Sequence, residues 1–270
     1  MAFPGIVQFE TINVCNHHCP MCPSVYDPTP SQRMTDKLID KIIQEIQNRK
    51  FHAVLPFWLG EPLLDGRIFN IITRLSTACD AKVILYSNAA LLTQAKAQLL
   101  VNSGVTDVVF SIHGHYRDTY VHVHGADDRD IVYSNVEYFL SIVPPNISRA
   151  VNLNKSSAVS DKEAAEFRAY WTPKGAQVQI TAMNNIGGQV VLPYERYSVV
   201  RPEPFCRRLL SSLIIKVDGT VCLCCNDFKP VFNLGNVNNQ TIEEIWNGAA
   251  RAKAVAEHQK NSICSKCNIW

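Results

Sequence analysis

The chain has 270 residues, of which 47% are hydrophobic and 19% are charged, and its formal net charge is +2. This composition is typical of a globular protein, and so small a positive excess does not indicate a protein that neutralises nucleic-acid phosphates. The chain has no apolar run of membrane-spanning length and no secretion signal at its start. We therefore expect a cytoplasmic protein with no nucleic-acid or membrane partner.

The first two thirds of the chain alternate between strand-like and helix-like segments. Runs of β-rich or apolar residues predict strands at 7–14, 53–58, 82–86, 107–112, 149–153 and 177–182. Apolar spacing and capping residues predict helices near 35–46, 68–78, 93–102, 130–142 and 160–171. One helix between successive strands implies parallel β/α units with right-handed crossovers. We expect an α/β fold, a partial (β/α)6 TIM-like barrel over residues 1–183, although an open sheet would give the same alternation.

The alternation stops after residue 183. Residues 184–205 are rich in Asn, Gly and Pro and are predicted to be a linker. Strand-like runs on both sides of Asp218-Gly219 predict a β-hairpin with a primed turn. Thr241 and Glu244 form a capping-box pattern before a helix that is predicted to run to about His258. Residues 206–270 are therefore expected to form a small hairpin-plus-helix domain that bound metal stabilises.

The ten cysteines are distributed unevenly, in one group near each end of the chain, and the long stretch between the groups contains only Cys79. Disulfide frameworks are typical of short secreted chains, whereas clustered cysteines in the cytosol more often bind metal. The distribution therefore predicts two metal sites. Cys79 lies at a predicted helix end and is expected to be an ordinary buried residue.

The first group, Cys15, Cys19 and Cys22, has the spacing C-x3-C-x2-C and directly follows the first strand. The carboxyl end of a strand is where barrel active sites are built. Three thiolates can hold a [4Fe–4S] cluster and leave one iron open. A ferredoxin-type transfer cluster is one alternative. Zinc is another, but it would need a fourth ligand, and we expect loop geometry to keep His17 and His18 from supplying it.

This motif, placed after the first of six β/α units, resembles the radical S-adenosylmethionine (SAM) superfamily. The resemblance implies that SAM binds the open iron and is cleaved to a 5′-deoxyadenosyl radical, which removes a hydrogen atom from the substrate. Leu59-Gly60-Glu61-Pro62 resembles the family's G-G-E-P motif, apart from Leu59, and Ser87-Asn88-Ala89 more weakly resembles its T-N-G element. The SAM contacts implied by the resemblance are Gly60, Glu61, Pro62, Ser87, Asn88 and Ser111. For Ser87 and Ser111, ordinary strand-end hydrogen bonding is an equal alternative.

The second group resembles the SPASM/Twitch auxiliary domains. Four thiolates can fully ligate a second [4Fe–4S] cluster, which suits electron transfer or structure rather than SAM binding. The expected ligands are Cys206, Cys224, Cys264 and Cys267, and zinc is the alternative. Cys222 is expected to share a strand face with Cys224, and Cys225 is expected to point the other way. The choice among these three is open, with Cys224 favoured by its spacing to Gly219.

The whole layout resembles short radical SAM dehydrogenases, which remove a carbinol hydrogen atom and then a proton and pass the second electron to the auxiliary cluster. The resemblance implies a small polar substrate (a sugar, aminocyclitol or similar alcohol) and a reductant such as flavodoxin or ferredoxin. Where these dehydrogenases have an arginine proposed as proton acceptor, this chain has Ile186. We expect His113 or Lys155 to serve instead, or the reaction to differ. Asn184, Asn185, Gly187 and Gly188 are further candidates for the pocket.

Three other functions fit parts of the sequence. An epimerase would return a hydrogen atom from a thiol, for which Cys222 or Cys225 is the candidate. A maturase of ribosomal peptides is less expected, because only six residues precede the first strand and leave no room for a leader-binding domain. A two-cluster electron carrier is disfavoured by the SAM-site motifs. The four histidines after the fourth strand predict a polar loop at the barrel mouth rather than a metal site: His113, His115, His122 and His124.

Overall fold

The computed structural model describes residues 2–27, 29–192 and 206–268. Its centre is an eight-stranded sheet with the strand order β6-β5-β4-β3-β2-β1-β7-β8. The strands are β1 (Ile6–Phe9), β2 (Ala53–Leu55), β3 (Lys82–Ser87), β4 (Asp107–Ser111), β5 (Ser148–Lys155), β6 (Gln177–Ala182), β7 (Ser212–Ile215) and β8 (Val221–Cys222). The helices are α1 (Asp36–Ile46), α2 (Ile68–Ala78), α3 (Gln94–Val101), α4 (Arg117–His124), α5 (Arg129–Ile142), α6 (Asp161–Trp171), α7 (Arg207–Ser211), α8 (Ile242–Trp246) and α9 (Ala249–Ala256).

The first six strands pair in sequence order, and every pair is parallel. At least one helix follows each of the first five strands, so the predicted α/β partial barrel is confirmed. Within the described residues the sheet ends at β6 and at β8, so the barrel is not closed there. Because all six strands run the same way, the loops at their carboxyl ends meet at one rim.

The sheet is held by a continuous apolar core. Helix α1 buries one stripe of side chains, as its spacing predicts: Leu38, Ile39, Ile42, Ile43 and Ile46. Cys79 belongs to the same core, and its thiol donates to the Leu75 carbonyl (3.5 Å). Cys79 is therefore the ordinary buried residue that its position predicts.

The C-terminal segment continues the main sheet. Strand β7 pairs in parallel with β1 from Ile6–Ser212 to Phe9–Ile215, and β8 returns antiparallel at the edge. The proposed division into units 1–183, 184–205 and 206–270 remains a prediction, and residues 193–205 of the predicted linker lie outside the described residues. A short 3-10 turn, Ile186–Gly188, occupies part of the described linker.

The first two strands are shorter than predicted. Strand β2 ends at Leu55 because Pro56 has no N–H for a further ladder bond. Strand β1 therefore loses its partner on that side after Gln8 and ends at Phe9.

Two predictions about the C-terminal unit are wrong in detail. The hairpin turn is not primed, because Val217 and Asp218 both lack the positive φ that a primed turn requires; only Gly219 has it, with φ 89°. The helix after the confirmed Thr241 capping box is broken into α8 and α9. The break occurs at Gly248, which adopts an extended conformation and caps the second helix.

The longest helix of the described part, Arg129–Ile142, has 14 residues. No helix in residues 2–27, 29–192 or 206–268 is long and apolar enough to cross a membrane.

Candidate active site between the two cysteine groups

A cavity of about 390 Å³ opens at the carboxyl ends of the barrel strands. It brings together ten of the site residues predicted in the barrel half of the chain: Cys15, Cys19, Cys22, Gly60, Glu61, Pro62, Ser87, Asn88, Ser111 and His113. Other parts of its wall come from Asn154 in β5 and from residues after β6 and β8, among them Asn184, Ile186, Cys225 and Asn226. The aromatic residues Phe57, Trp58 and Tyr86 also line it, although their sequence context does not single them out.

Two of the three thiols of the first group accept hydrogen bonds from neighbouring residues. The His17 N–H donates to Cys15 Sγ (3.4 Å) and the Ser24 hydroxyl donates to Cys22 Sγ (3.1 Å). Burial and neighbouring negative groups raise the pKa of all three thiols, that of Cys15 to about 12. Thiolates here therefore need a strong positive charge beside them, which a metal centre supplies. The donor set fits an iron–sulfur cluster with three protein ligands.

Gly60 lies directly against the cysteine loop. A Cβ atom at this position would lie 2.1 Å from the Ile12 carbonyl oxygen and 2.9 Å from that of Val14. The next residue, Glu61, donates its backbone N–H to Val14 O (2.9 Å). Only glycine allows this close approach. The second glycine of the G-G-E-P motif is therefore needed at position 60, although Leu59 occupies the position of the first.

The Glu61 carboxylate joins the ends of β2 and β3. It accepts hydrogen bonds from Ser87 Oγ (2.8 Å), Asn88 N (2.8 Å) and Leu63 N (3.0 Å). Burial raises its pKa. Ser87 Oγ also accepts from Ala89 N, which is the strand-end bonding that the sequence left as an alternative. Ala89 stands where the family's T-N-G element has glycine, and it adopts the left-handed conformation with φ 61°.

The histidines after β4 do not form the polar loop that the sequence predicts, because residues 117–124 fold into α4. His113 N donates to His124 Nε2 (3.0 Å), which leaves the proton of His124 on Nδ1. That Nδ1 lies 3.2 Å from His17 Nδ1 and 3.8 Å from Cys19 Sγ. His17 Nε2 in turn donates to Asp128 Oδ2 (2.9 Å). A directed series of hydrogen bonds thus runs from His113, after β4, through His124 and the cysteine-loop residue His17 to Asp128.

These hydrogen bonds correct one expectation about the cysteine loop. The ligand atoms of His17, Cys19 and His124 all lie within 4.8 Å of one another, so loop geometry does not keep His17 away from Cys19. The sequence gives little sign of His124, because 105 residues separate it from Cys19. One signal is the glycine that follows it: a Cβ on Gly125 would lie 2.9 Å from the His18 carbonyl.

His113 and Lys155 are poorly placed to accept a proton from a substrate. His113 lines the cavity, but its Nδ1 already accepts from Asn154 N (3.2 Å), and burial lowers its pKa to about 4. A general base works best when its pKa is near the operating pH. Lys155 pairs with Asp161 and is not part of the cavity wall that the structure describes.

Five cysteines of the second group line another pocket: Cys225 and, besides it, the four residues Cys206, Cys224, Cys264 and Cys267. Those four are the predicted ligands, and the structure brings them together. Cys222 is buried in the core at 1% exposure and lines neither of these two pockets. The expectation that it shares a face with Cys224 is wrong, because β8 ends at Cys222 and the alternation stops there.

Cys225 lies between the two sites. It lines both the large cavity and the second pocket, so it does not point away from the cysteines as expected. Arg208 Nη1 contacts its sulfur at 3.2 Å. Trp58 Nε1 donates to the Cys225 carbonyl (3.3 Å), which fixes this turn against the barrel rim.

Fold and site together define an iron–sulfur enzyme built on a partial β/α barrel. Residues 9–166 match the model of the radical SAM superfamily, and residues 206–268 match that of SPASM, an iron–sulfur cluster-binding domain. The chain belongs to the radical SAM superfamily, and its cofactors are SAM and two [4Fe–4S] clusters.

The chain is similar to several characterised proteins. It is 22% identical to the S-adenosyl-L-methionine-dependent 2-deoxy-scyllo-inosamine dehydrogenase of Niallia circulans, over 98% of this chain and 92% of the relative. The solved structure of BtrN with AdoMet and 2-DOIA superposes with a TM-score of 0.69 at 18% identity, over 99% of this chain and 94% of that one. Streptococcus suis SuiB bound to precursor peptide SuiA superposes with a TM-score of 0.79 at 13% identity, over 99% of this chain and 70% of that one.

Proposed function

We propose that this protein is a radical SAM dehydrogenase that oxidises an alcohol carbon of a small polar substrate such as a sugar or aminocyclitol. The observation that carries the proposal is the shared wall of the two sites: Cys225 and Asn226 line both the large cavity and the second cysteine pocket. A substrate in the cavity would therefore lie between the two cysteine groups. The similarity to an aminocyclitol dehydrogenase supports the substrate class.

The proposed ligands follow from the two pockets. Cys15, Cys19 and Cys22 hold the cluster that binds SAM, and Cys206, Cys224, Cys264 and Cys267 hold the auxiliary cluster. When bound, these cofactors supply a 5′-deoxyadenosyl radical for hydrogen abstraction and an acceptor for the remaining electron. The chain's own contribution is to place the substrate between them and to keep water out.

The cavity wall suits a neutral substrate with several hydroxyl groups. Phe57 and Tyr86 stack with ring centroids 5.0 Å apart and form an apolar surface for a carbon ring. The amide groups of Asn154 and Asn184 also line the cavity, and amides can both donate to and accept from hydroxyls. The carboxylate of Glu61 is already bonded to three donors, so it adds little free charge.

Epimerisation is the second candidate, and one observation favours it. Ile186 is 1% exposed and stands where the related dehydrogenases have their arginine, so that proton acceptor is absent from the part of the cavity wall that the structure describes. Cys225 does line the cavity, and a thiol there can return a hydrogen atom to a carbon radical. In that reaction the thiol S–H bond breaks, a C–H bond forms, and a thiyl radical remains to be reduced by the reductant.

The two reactions are separated by isotope tracing. We expect the purified enzyme, with SAM and dithionite, to release 5′-deoxyadenosine and to convert an aminocyclitol alcohol to a product that has lost two hydrogens. Uptake of one solvent deuterium at carbon, without that loss, would support epimerisation instead. Activity only on a peptide would contradict both reactions and support a maturase, and no 5′-deoxyadenosine at all would contradict SAM chemistry.

Cys225 and Cys222 form a matched pair for this test. If epimerisation occurs, Cys225→Ala should abolish deuterium uptake, whereas Cys222→Ala should leave it unchanged, because Cys225 lines the cavity and Cys222 does not. If dehydrogenation occurs, neither substitution should remove the ketone product. Mass spectrometry of the product after turnover in D2O gives the readout.

A further inference from the structure

Asn226, like its neighbour Cys225, lies where the substrate cavity touches the auxiliary cysteines. It is 3% exposed and lines both pockets. Its Oδ1 accepts from Asn184 Nδ2 (2.6 Å), and its Nδ2 donates to Cys267 Sγ (3.3 Å). Asn184 itself lines the cavity. Two amide groups therefore connect the cavity wall to a proposed ligand of the auxiliary cluster.

The orientation of both amides follows from their partners. Asn184 Oδ1 accepts from Ile186 N (2.8 Å), so the amino group of Asn184 must face Asn226. Asn226 consequently presents its oxygen to Asn184 and its amino group to the sulfur of Cys267. The Asn226 backbone N–H also bonds to Cys224 and helps lower that thiol's pKa, although burial still raises it overall.

An N–H donor on a cluster sulfur stabilises the reduced, more negative state of the cluster. Hydrogen bonds to the sulfurs are among the factors that set iron–sulfur potentials, and groups around a metal site tune it through its ligands. A donor held by a second amide is pre-oriented, so it loses little entropy in making that bond.

We propose that Asn226 is a positioning residue that raises the reduction potential of the auxiliary cluster, and that Asn184 holds it in the donating orientation. The inference rests on the proposed function, because it takes Cys267 as a cluster ligand. It assigns this amide pair a task that the ligands alone do not perform: making the auxiliary cluster a better electron acceptor at the wall of the substrate cavity.

The test is a redox titration of the full chain carrying both clusters, followed by EPR. Asn226→Leu removes the donor, and Asn226→Asp keeps the shape but puts a negative oxygen near the sulfur. We expect both to lower the auxiliary potential, with Asp giving the larger shift and Leu about a tenfold change in the reduction equilibrium, which is about 59 mV for one electron. Asn184→Ala should shift it in the same direction by less.

Two controls localise the effect. Asn238→Leu replaces an exposed amide of the same C-terminal unit that bonds to the Asp218 carbonyl, and it should leave both potentials unchanged. Ser24→Ala removes the hydroxyl donor on Cys22 Sγ and should shift only the first cluster. The titration is repeated with Cys15, Cys19 and Cys22 replaced by Ala. Only the EPR signal of the auxiliary cluster should then remain, free of overlap with that of the first cluster.

An auxiliary potential that is unchanged in both Asn226 variants overturns the inference. If Asn226→Leu does not retain its cluster, the near-isosteric Asp variant decides. Iron content separates this failure from failure of the ligand set: Cys267→Ala should lose about half of about eight irons per chain, as four cysteines per cluster imply. Unchanged iron in that variant would contradict the ligand assignment and, with it, this inference.

Discussion

Single atoms decide how closely the segment after β2 approaches the cysteine loop. Gly60 lies so close to the carbonyls of Ile12 and Val14 that a methyl group has no room. The atoms in the way belong to the backbone, which cannot rotate aside as a flexible side chain can. The conformation of the loop that carries Cys15 therefore depends partly on the lack of a side chain at Gly60.

We predict that Gly60→Ala disrupts the site. The added methyl group must push the two segments apart, and overpacking of this kind costs about 1–3 kcal/mol of unfolding free energy. Anaerobic urea unfolding and iron content are the measurements, and we expect weaker retention of the first cluster.

Gly66→Ala is the matched control, because a Cβ there meets nothing within 4 Å. It should change the free energy of unfolding by less than about 1 kcal/mol and leave the iron content intact. Equal effects of the two substitutions would show that the close contact at Gly60 does not matter.

At the scale of elements, a buried ion pair ties the cysteine loop to the hairpin. Lys216, directly after β7, donates to Asp27 (2.9 Å) and to the Phe228 carbonyl (2.9 Å). The two charged side chains are 4% and 6% exposed. Asp27 directly follows the short 3-10 helix Pro23–Tyr26, which begins next to Cys22. The pair therefore fixes the end of the cysteine loop against the C-terminal unit.

We predict that Lys216→Met destabilises the protein by about 3–5 kcal/mol, because it leaves the Asp27 charge buried without its partner. The double variant Asp27→Asn/Lys216→Met should recover much of that loss. Urea unfolding of the single and double variants gives the coupling energy.

Arg74→Met provides the comparison, because the Arg74–Asp40 pair lies at the surface, with side chains 39% and 59% exposed. Its loss should cost less than about 1 kcal/mol. A Lys216 variant that is no worse than this surface variant would contradict a structural role for the buried pair.

At the scale of the whole molecule, Glu10 links three parts of the fold. It follows β1 and is 0% exposed, and its carboxylate accepts from Leu59 N and from Val217 N (both 3.2 Å). Burial raises its pKa to about 7 from an ordinary value of 4.5, and Lys216 only partly opposes this shift. Between pH 4.5 and about 7, the fold therefore retains a proton on Glu10 that the unfolded chain releases.

This retained proton predicts a pH dependence of stability. Between pH 4.5 and about 7 the folded state binds more protons than the unfolded chain, so the free energy of unfolding falls as pH rises. This loss of unfolding free energy is absent below that pH window and complete above it, where it amounts to about 3 kcal/mol. Glu10→Gln should remove this penalty. The free energy of unfolding of the variant, relative to that of the wild type, should therefore rise by about 2 kcal/mol from pH 5.5 to pH 8.

Anaerobic urea unfolding of both proteins across that range is the measurement. Taking the difference between them cancels the pH effects that they share, including those of the cysteines. A constant difference would contradict the raised pKa of Glu10.

The sequence by itself determined the class of fold and the two cysteine groups. Apolar periodicity marks where strands and helices occur, because each element must bury one face, and cysteine spacing within a loop is a local property. The C-x3-C-x2-C loop and the Gly60-Glu61-Pro62 segment could therefore be predicted as parts of one site.

Only the tertiary structure decided which distant residues complete that site. His124 reaches Cys19, Asn226 reaches Cys267, and Cys225 rather than Cys222 lines the cavity. None of these relations follows from sequence spacing, because each depends on where a turn places a side chain after the elements have packed. The pairing of β7 with β1 has the same origin, since an open strand edge can accept any compatible strand, however far along the chain that strand lies.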